Sequence, residues 1–246
     1  MLLTDDQTMI REAARTFAQA EVAPLAAEWD QTAEFPTDIA RRLGELGFLG
    51  MTISEEWGGA GADNVSLALV IEEISAADAA CGLLVGLQNS VVCAPINQFG
   101  TNEQKERYLR PAARGEIRGC FCLTEPQAGS DASNLRTTAD LRGNRYVING
   151  SKQFISSGAS ADIALIFGVT DSDSGKKGIS AFIVPTDTPG YTVSRVEKKM
   201  GQRSSETCAI TLDNVEVTPD LLLGEEGDGY RIALSNLEGG RIGVAA

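Results

Sequence analysis

The stretch that decides the fold is Phe121-Cys122-Leu123-Thr124-Glu125-Pro126-Gln127-Ala128-Gly129-Ser130-Asp131. Its first half is apolar and predicts a buried strand. Its second half predicts a turn, because Pro126 fixes its own φ and Gly129 permits a positive φ. Backbone amides and the hydroxyls of Thr124 and Ser130 then face open space at a strand end. A group of backbone N–H donors that point to one spot can hold a phosphate or the polar edge of a heterocycle. The residues alone leave a second interpretation open, an ordinary strand followed by a Gly-Ser loop.

The composition excludes several classes of function. The chain has 246 residues, 43% of them hydrophobic, and carries 34 Asp and Glu against 21 Lys and Arg. That acidic balance argues against nucleic acid as a partner and against a polybasic membrane surface. The sequence contains no histidine, which excludes a Ser-His-Asp triad and a His-ligated zinc. Acid–base chemistry would fall to a carboxylate, Lys, Tyr, Cys or a cofactor.

The cysteines and the N-terminus indicate a cytoplasmic protein. The cysteine count is odd and no CxxC occurs, so neither a disulfide framework nor a metal site is predicted. We expect buried thiols in a reducing cytosol. The N-terminus lacks the basic start and long apolar run of a signal peptide, no stretch approaches the length of a membrane span, and we expect no membrane insertion.

The first third of the chain predicts helices with clear ends. Thr4-Asp5-Asp6-Gln7 is a capping box, and the helix that it opens should stop or bend at Pro24. Phe35-Pro36 starts another helix, with Gly47 as its stop.

The next third predicts the centre of a helical bundle. A nearly apolar helix runs from Asn64 to about Ala80, and a second from about Gly82 to Phe99. Thr101-Asn102-Glu103-Gln104 is another capping box, whose helix runs towards Gly115. These helices predict an N-terminal domain of residues 1–117.

From about Arg118 onwards, the spacing of the apolar residues changes from that of helices to that of strands. A turn is predicted at Arg142-Gly143-Asn144, and Asn149-Gly150 is the strongest short hairpin signal in the chain. About seven strand-like runs predict an antiparallel barrel or sandwich over residues 118–226. Helical spacing returns over residues 227–246, and the chain stops at Ala246 without a C-cap. The predicted class is therefore α+β, with a helical bundle, a β domain and the start of a C-terminal helical domain.

Four motifs in order resemble those of the acyl-CoA dehydrogenases, and the overall pattern is closest to the short-chain, butyryl-type members. The motifs are Phe121-x-x-Thr124-Glu125-Pro126-x-x-Gly129-Ser130-Asp131, Lys152-Gln153-Phe154-Ile155-Ser156-Ser157-Gly158, Gly178-Ile179-Ser180-Ala181-Phe182 and Leu237-Glu238-Gly239-Gly240-Arg241-Ile242-Gly243. The resemblance implies that residues 118–226 bind flavin and that most of a C-terminal helical domain is missing. It also implies that the full-length protein is a homotetramer.

The resemblance implies a flavin oxidoreductase. In this family FAD lies between the β domain and the C-terminal helices, and an acyl-CoA thioester is oxidised to the trans-2-enoyl-CoA. A carboxylate removes the α-proton, the β-hydride passes to the flavin, and an electron-transfer flavoprotein reoxidises it. The protein places the cofactor and excludes water, while the flavin carries the redox chemistry.

The motifs map onto cofactor-binding residues, which are Phe121, Leu123, Thr124, Gly129, Ser130, Phe154, Ile155 and Ser156. Leu123 and Thr124 are expected to offer backbone groups and a hydroxyl to the flavin ring, and Gly129 and Ser130 to approach the pyrophosphate. Where the family most often has Trp-Ile-Thr, this chain has Phe-Ile-Ser. The Phe keeps an apolar stacking surface and the Ser keeps the hydroxyl, so we expect flavin binding to survive both changes.

The residues that the resemblance assigns to the acyl-CoA substrate are Ser130, Glu238, Gly239, Gly240 and Arg241. Adjacent glycines in a helix cost about 1 kcal/mol each relative to Ala, which indicates close approach of a ligand or of another helix.

No catalytic base is assigned. In some family members the base immediately precedes the arginine of the last motif, and Gly240 occupies that position here. In the others, including the short-chain type, a Glu far along the C-terminal domain serves. Glu125 is expected to hold its loop.

Two other interpretations stay open. The same motifs occur in acyl-CoA oxidases and in flavin monooxygenases, whose reduced flavin reacts rapidly with oxygen. The 246 residues could also be a fragment without enzymatic activity that acts through contacts with a partner.

Overall fold

The computed structural model describes residues 2–246, apart from the side chain of Glu238. Helix α1 spans Asp5–Phe17 and continues through a π-helical turn, Ala18–Val22, before the chain turns at Pro24. The predicted capping box is confirmed, since Gln7 N donates to Thr4 Oγ1 (3.2 Å) and Thr4 N donates to Gln7 Oε1 (3.1 Å).

The sequence predicts the second of the next two helices but not the first. Helix α2 spans Ala26–Thr32, and helix α3 spans Thr37–Glu45 after Pro36. Gly47 follows α3 with φ +77°, a left-handed conformation that suits glycine after a helix.

Two long helical segments form the centre of the bundle. Helix α4 spans Asn64–Ala77, and helix α5, Ala79–Leu87, runs through a π-helical stretch into α6, Ala94–Phe99. Within residues 2–246, the stretch Ala79–Phe99 is long and apolar enough to cross a membrane, so the prediction that no stretch approaches that length is wrong. Of its most apolar 18 residues, 67% are buried inside the fold, as in a core helix.

The last part of the bundle connects the helices to the β domain. Helix α7, Asn102–Gln104, and helix α8, Arg110–Ala113, are joined by a π-helical turn. The second capping box is confirmed, with Gln104 N donating to Thr101 Oγ1 at 3.2 Å. Gln104 Nε2 also donates to the carbonyl of Leu222 (2.8 Å), which anchors the helices to the β domain.

The β domain is one mostly antiparallel sheet in the order β6-β7-β3-β2-β4-β5-β8, with β1 pairing β4 in parallel. Its strands are β1 Gly119–Cys122, β2 Thr138–Arg142, β3 Arg145–Ser156, β4 Ile163–Val169, β5 Ile179–Pro185, β6 Tyr191–Val196, β7 Thr207–Val217 and β8 Leu222–Leu223. Helix α9, Gly229–Ala245, follows the sheet. The predicted α+β class is confirmed.

The strongest hairpin signal does not form a hairpin. Asn149-Gly150 lies inside β3, which runs unbroken from Arg145 to Ser156, whereas the predicted turn at Gly143 does join β2 and β3. Gly150 instead sits at an irregularity in the β3–β7 register, where a Cβ would lie 2.3 Å from Thr137 Oγ1. Close backbone approach explains this glycine.

Buried apolar side chains form two clusters. One lies among α1, α3, α4 and α5, and the other fills the sheet and extends to α6 and α8. All five cysteines are buried free thiols, as the sequence predicts.

Candidate functional site

The loop after β1 is a tight turn that exposes its glycine and serine. Glu125 N donates to the carbonyl of Ala128 (3.0 Å), and Ala128 N donates back to the carbonyl of Glu125 (3.1 Å). Gly129 and Ser130 follow and are exposed. Gly129 does not use the positive φ that the sequence allowed for, and a Cβ built on it would meet nothing within 4 Å. Neither backbone conformation nor crowding within the chain requires glycine there, which leaves space for an external group.

A buried ion pair fixes this loop from beneath. The side chain of Lys152 on β3 is fully buried, and its Nζ lies 2.8 Å from Glu125 Oε1. The same ammonium donates to the carbonyls of Leu123 (3.2 Å) and Phe167 (2.6 Å), so all three of its donors are used. Sequence reasoning missed this role, although Lys152 follows the buried Ile148 by four positions, a spacing that puts both side chains on one face of a strand.

Glu125 holds the loop, as expected. Its carboxylate accepts hydrogen bonds from Arg136 N (2.7 Å), Thr137 N (3.1 Å) and Gln127 Nε2 (2.6 Å). Desolvation raises its pKa, but the Lys152 charge and these donors outweigh that effect and bring the pKa to about 2. Burial lowers the pKa of Lys152, opposed by the Glu125 charge.

A β-bulge presents an aromatic ring beside the loop. The β3–β7 register shifts between Lys152 and Ile155, and within the shift Phe154 adopts φ +58° with 63% of its surface exposed. Gln153 N donates to the carbonyl of Thr124 (2.8 Å), which ties the bulge to the loop. A bulky residue in the left-handed region costs of order 1–3 kcal/mol, and such strain concentrates at ligand sites.

Other predicted cofactor residues lie partly inside the core. Phe121 is half-buried, with its ring 4.8 Å from that of Phe167. The Ile155 side chain is 2% exposed and packs in the core, so this side chain offers no open surface to an external ligand. The Leu123 side chain is buried as well, whereas Thr124 and Ser156 are half-buried.

A second candidate site is a cavity of about 410 Å³ between α4, α5 and α9. Of the residues that the resemblance assigns to the substrate, Gly240 and Arg241 line this cavity, whereas Gly239 and Ser130 do not. The Glu238 side chain lies outside the described residues. A Cβ on Gly240 would come 3.3 Å from Ser90 Oγ, and one on Gly239 would meet nothing within 4 Å. Helix packing therefore accounts for Gly240 but not for Gly239.

The described residues fit a flavin better than a metal. In residues 2–246, no group of three or more His, Cys, Asp or Glu side chains is placed to hold a metal ion. The open glycine loop can admit a phosphate or a ring edge, and the exposed Phe154 ring can pack against an aromatic cofactor.

Comparison with known proteins identifies the family. Residues 4–116 match the acyl-CoA dehydrogenase N-terminal domain, and residues 120–215 match the acyl-CoA dehydrogenase middle domain. The chain therefore belongs to the acyl-CoA dehydrogenase family. An acyl-CoA dehydrogenase of Bacillus subtilis is 47% identical over all 246 residues, and the chain spans 65% of that relative's length.

Solved structures agree with this assignment. Butyryl-CoA dehydrogenase from Megasphaera elsdenii superposes with a TM-score of 0.97 at 40% identity, covering 100% of this chain and 65% of that one. A chain in a structure of the electron transferring flavoprotein of Acidaminococcus fermentans superposes with a TM-score of 0.97 at 44% identity, covering 100% of this chain and 64% of that one. A glutaryl-CoA dehydrogenase from Mycobacterium smegmatis in complex with FADH2 superposes with a TM-score of 0.92 at 35% identity, covering 98% of this chain and 61% of that one.

Proposed function

We propose that this chain is the cofactor-binding portion of an FAD-dependent acyl-CoA dehydrogenase that acts on short-chain acyl thioesters. The observation that carries the proposal is the strained, exposed Phe154, hydrogen-bonded through Gln153 to the glycine loop. A folded protein holds a large aromatic ring in water in a costly backbone conformation only where something stabilises it there. The likeness to butyryl-CoA dehydrogenase supports the short acyl chain, and the likeness to the glutaryl-CoA dehydrogenase in complex with FADH2 supports the cofactor.

The cofactor residues have separate tasks in this proposal. Backbone groups of Leu123 and Thr124 and the Ser156 hydroxyl bind the polar edge of the flavin ring, and Phe154 covers an apolar part of it. Gly129 and Ser130 hold the phosphates. Bound FAD supplies the hydride acceptor for oxidation of the thioester.

The cavity against α9 holds the acyl chain. Its lining is mostly apolar, so it excludes water from the reacting carbons, with Gly240 and Arg241 at one side. Among the described side chains, no Asp or Glu lines the cavity, and Gly240 has no side chain to accept a proton. We assign no catalytic base to these residues. An electron-transfer flavoprotein is the proposed acceptor, with support from the likeness to the Acidaminococcus fermentans structure.

Anaerobic titration of the FAD-loaded chain with butyryl-CoA tests the proposal. The expected result is a saturable shift of the flavin absorption band without full bleaching, because no described carboxylate reaches the cavity. A flavin spectrum that no acyl-CoA perturbs would contradict the acyl-CoA site. Rapid oxygen consumption after chemical reduction of the flavin would instead favour an oxidase or a monooxygenase.

A further inference from the structure

The cavity against α9 has few polar side chains in its lining, and they differ in whether they are free to bind a ligand. Among the described residues, the polar side chains are those of Ser75, Ser90, Gln202 and Arg241. The Ser90 hydroxyl is used within its own helical segment, where Oγ donates to the carbonyl of Gly86 at 2.6 Å. Gln202 and Arg241 are exposed, and neither side chain has a hydrogen-bond partner among the described residues. Of these two, only Gln202 offers both a donor and an acceptor.

Gln202 reaches the cavity from the β domain. It lies in the segment 197–206 between β6 and β7, and both ends of this segment are fixed beside the β3 bulge. Gln153 Nε2 donates to Glu197 Oε1 (2.8 Å), and Ser157 N donates to the carbonyl of Glu206 (3.0 Å). The segment therefore connects the candidate flavin site with the candidate acyl cavity.

The backbone at Gln202 is strained and firmly held. Its φ is +48°, in the left-handed region that favours glycine. Its carbonyl accepts from Ser205 N (3.1 Å) and from Lys199 Nζ (2.9 Å), and the next residue, Arg203, donates its N–H to Asp30 Oδ1 (2.7 Å). The neighbouring Gly201 needs no positive φ. Glutamine thus occupies the position where glycine would be unstrained, which indicates a use for its side chain.

We propose that Gln202 is a substrate-binding residue whose carboxamide binds the acyl thioester at the mouth of the cavity. A primary amide can donate to and accept from a carbonyl or a secondary amide, which are the neutral polar groups of an acyl-pantetheine thioester. The acyl chain lies in the apolar cavity below. This inference rests on the proposed function, and it adds a binding residue that none of the four sequence motifs contains.

The variant Gln202→Gly separates binding from backbone strain. Glycine keeps the left-handed conformation and removes the carboxamide, so the melting temperature stays unchanged or rises by up to about 2–4 °C. Calorimetric titration of the FAD-loaded chain with butyryl-CoA should show a Kd at least tenfold higher than for the wild type. The affinity for FAD should stay within twofold, because Gln202 lies outside the cofactor loop and the bulge.

The matched control is Asn214→Gly. Asn214 also has a positive φ (+50°), but it lies in β7 and does not line the cavity. Asn214→Gly removes a non-glycine residue with a left-handed backbone but no side chain of the cavity lining. The affinities for FAD and for butyryl-CoA should therefore both be unchanged.

A second probe, S-butyryl-pantetheine, locates the contact. It lacks the nucleotide of coenzyme A, so Gln202→Gly should weaken it by the same factor as butyryl-CoA. A loss confined to butyryl-CoA would place the contact on the nucleotide and overturn the inference. Equal butyryl-CoA affinity of wild type and variant would overturn it while leaving the proposed function intact. A wild-type chain that binds FAD but no butyryl-CoA would overturn both the inference and the acyl-CoA site.

Discussion

Replacing Lys152 with Met tests whether the buried ion pair organises the cofactor loop. Methionine keeps an unbranched chain but removes the ammonium that bridges Glu125, Leu123 and Phe167. The Glu125 carboxylate, 2% exposed, then has no counter-charge, and two carbonyls lose a donor. Removing one partner of a buried pair costs about 3–5 kcal/mol. That is a large share of the roughly 5–15 kcal/mol that stabilises a typical protein.

Thermal unfolding followed by circular dichroism measures the effect. In a chain of this size each kcal/mol shifts the melting temperature by about 2–4 °C, so Lys152→Met should lower it by roughly 6–20 °C. The control is Lys198→Met, because Lys198 is exposed and its loss should stay within about 0.5 kcal/mol. The double variant Lys152→Met with Glu125→Gln should recover part of the loss, since no unpaired buried charge remains.

Two results would refute this reasoning. The first is a Lys152→Met melting temperature within about 2 °C of the wild type, which would mean that the ammonium contributes little. The second is a double variant that is less stable than Lys152→Met, because the unpaired carboxylate could then not be the source of the loss.

Three further predictions concern pH, the bulge and the cavity. The folded pKa of Glu125, about 2, lies below its ordinary value of 4.5, so the stabilisation that its carboxylate provides is present above pH 4.5 and is lost as pH falls towards 2. The free energy of unfolding, measured with urea at several pH values, should therefore fall with pH in this range, and Glu125→Gln should flatten that dependence. An unchanged pH dependence in the variant would contradict the assignment. Phe154→Gly should leave the melting temperature unchanged or higher. It should weaken FAD binding at least tenfold in a fluorescence titration, about 1.4 kcal/mol, whereas equal FAD affinity would exclude a contact between Phe154 and the flavin ring. Gly240→Leu should abolish butyryl-CoA binding in calorimetry, because the leucine fills the cavity, while FAD binding persists. A wild-type affinity for butyryl-CoA in this variant would place the acyl chain elsewhere.

Local signals in the sequence predicted most of the helices and most of the sheet. Thr4 and Thr101 start helices because a capping box needs only four consecutive residues. The turn at Gly143 is equally local. These features need no information from distant parts of the chain.

Asn149-Gly150 shows where local signals fail. The pair favours a two-residue turn, but β3 gains more from continuous pairing with β2 and β7, and Gly150 instead admits the close approach of Thr137. Tertiary contacts therefore overrode the turn preference.

The candidate site was predictable only in part. The glycine loop is visible as turn chemistry, but the burial of Lys152 depends on a partner 27 positions away. The left-handed φ of Phe154 depends on a register shift against β7. The contribution of Gln202 to the cavity depends on helices α4, α5 and α9, which lie far from it in sequence. No local pattern encodes these three features.

The visible absorption spectrum of the chain after incubation with FAD, with free cofactor removed by desalting, tests flavin binding most directly. We expect a retained flavin band near one equivalent per chain, and loss of that band in Phe154→Gly under the same conditions. A folded, colourless wild-type protein, or a flavin band that persists in the Phe154 variant, would contradict it.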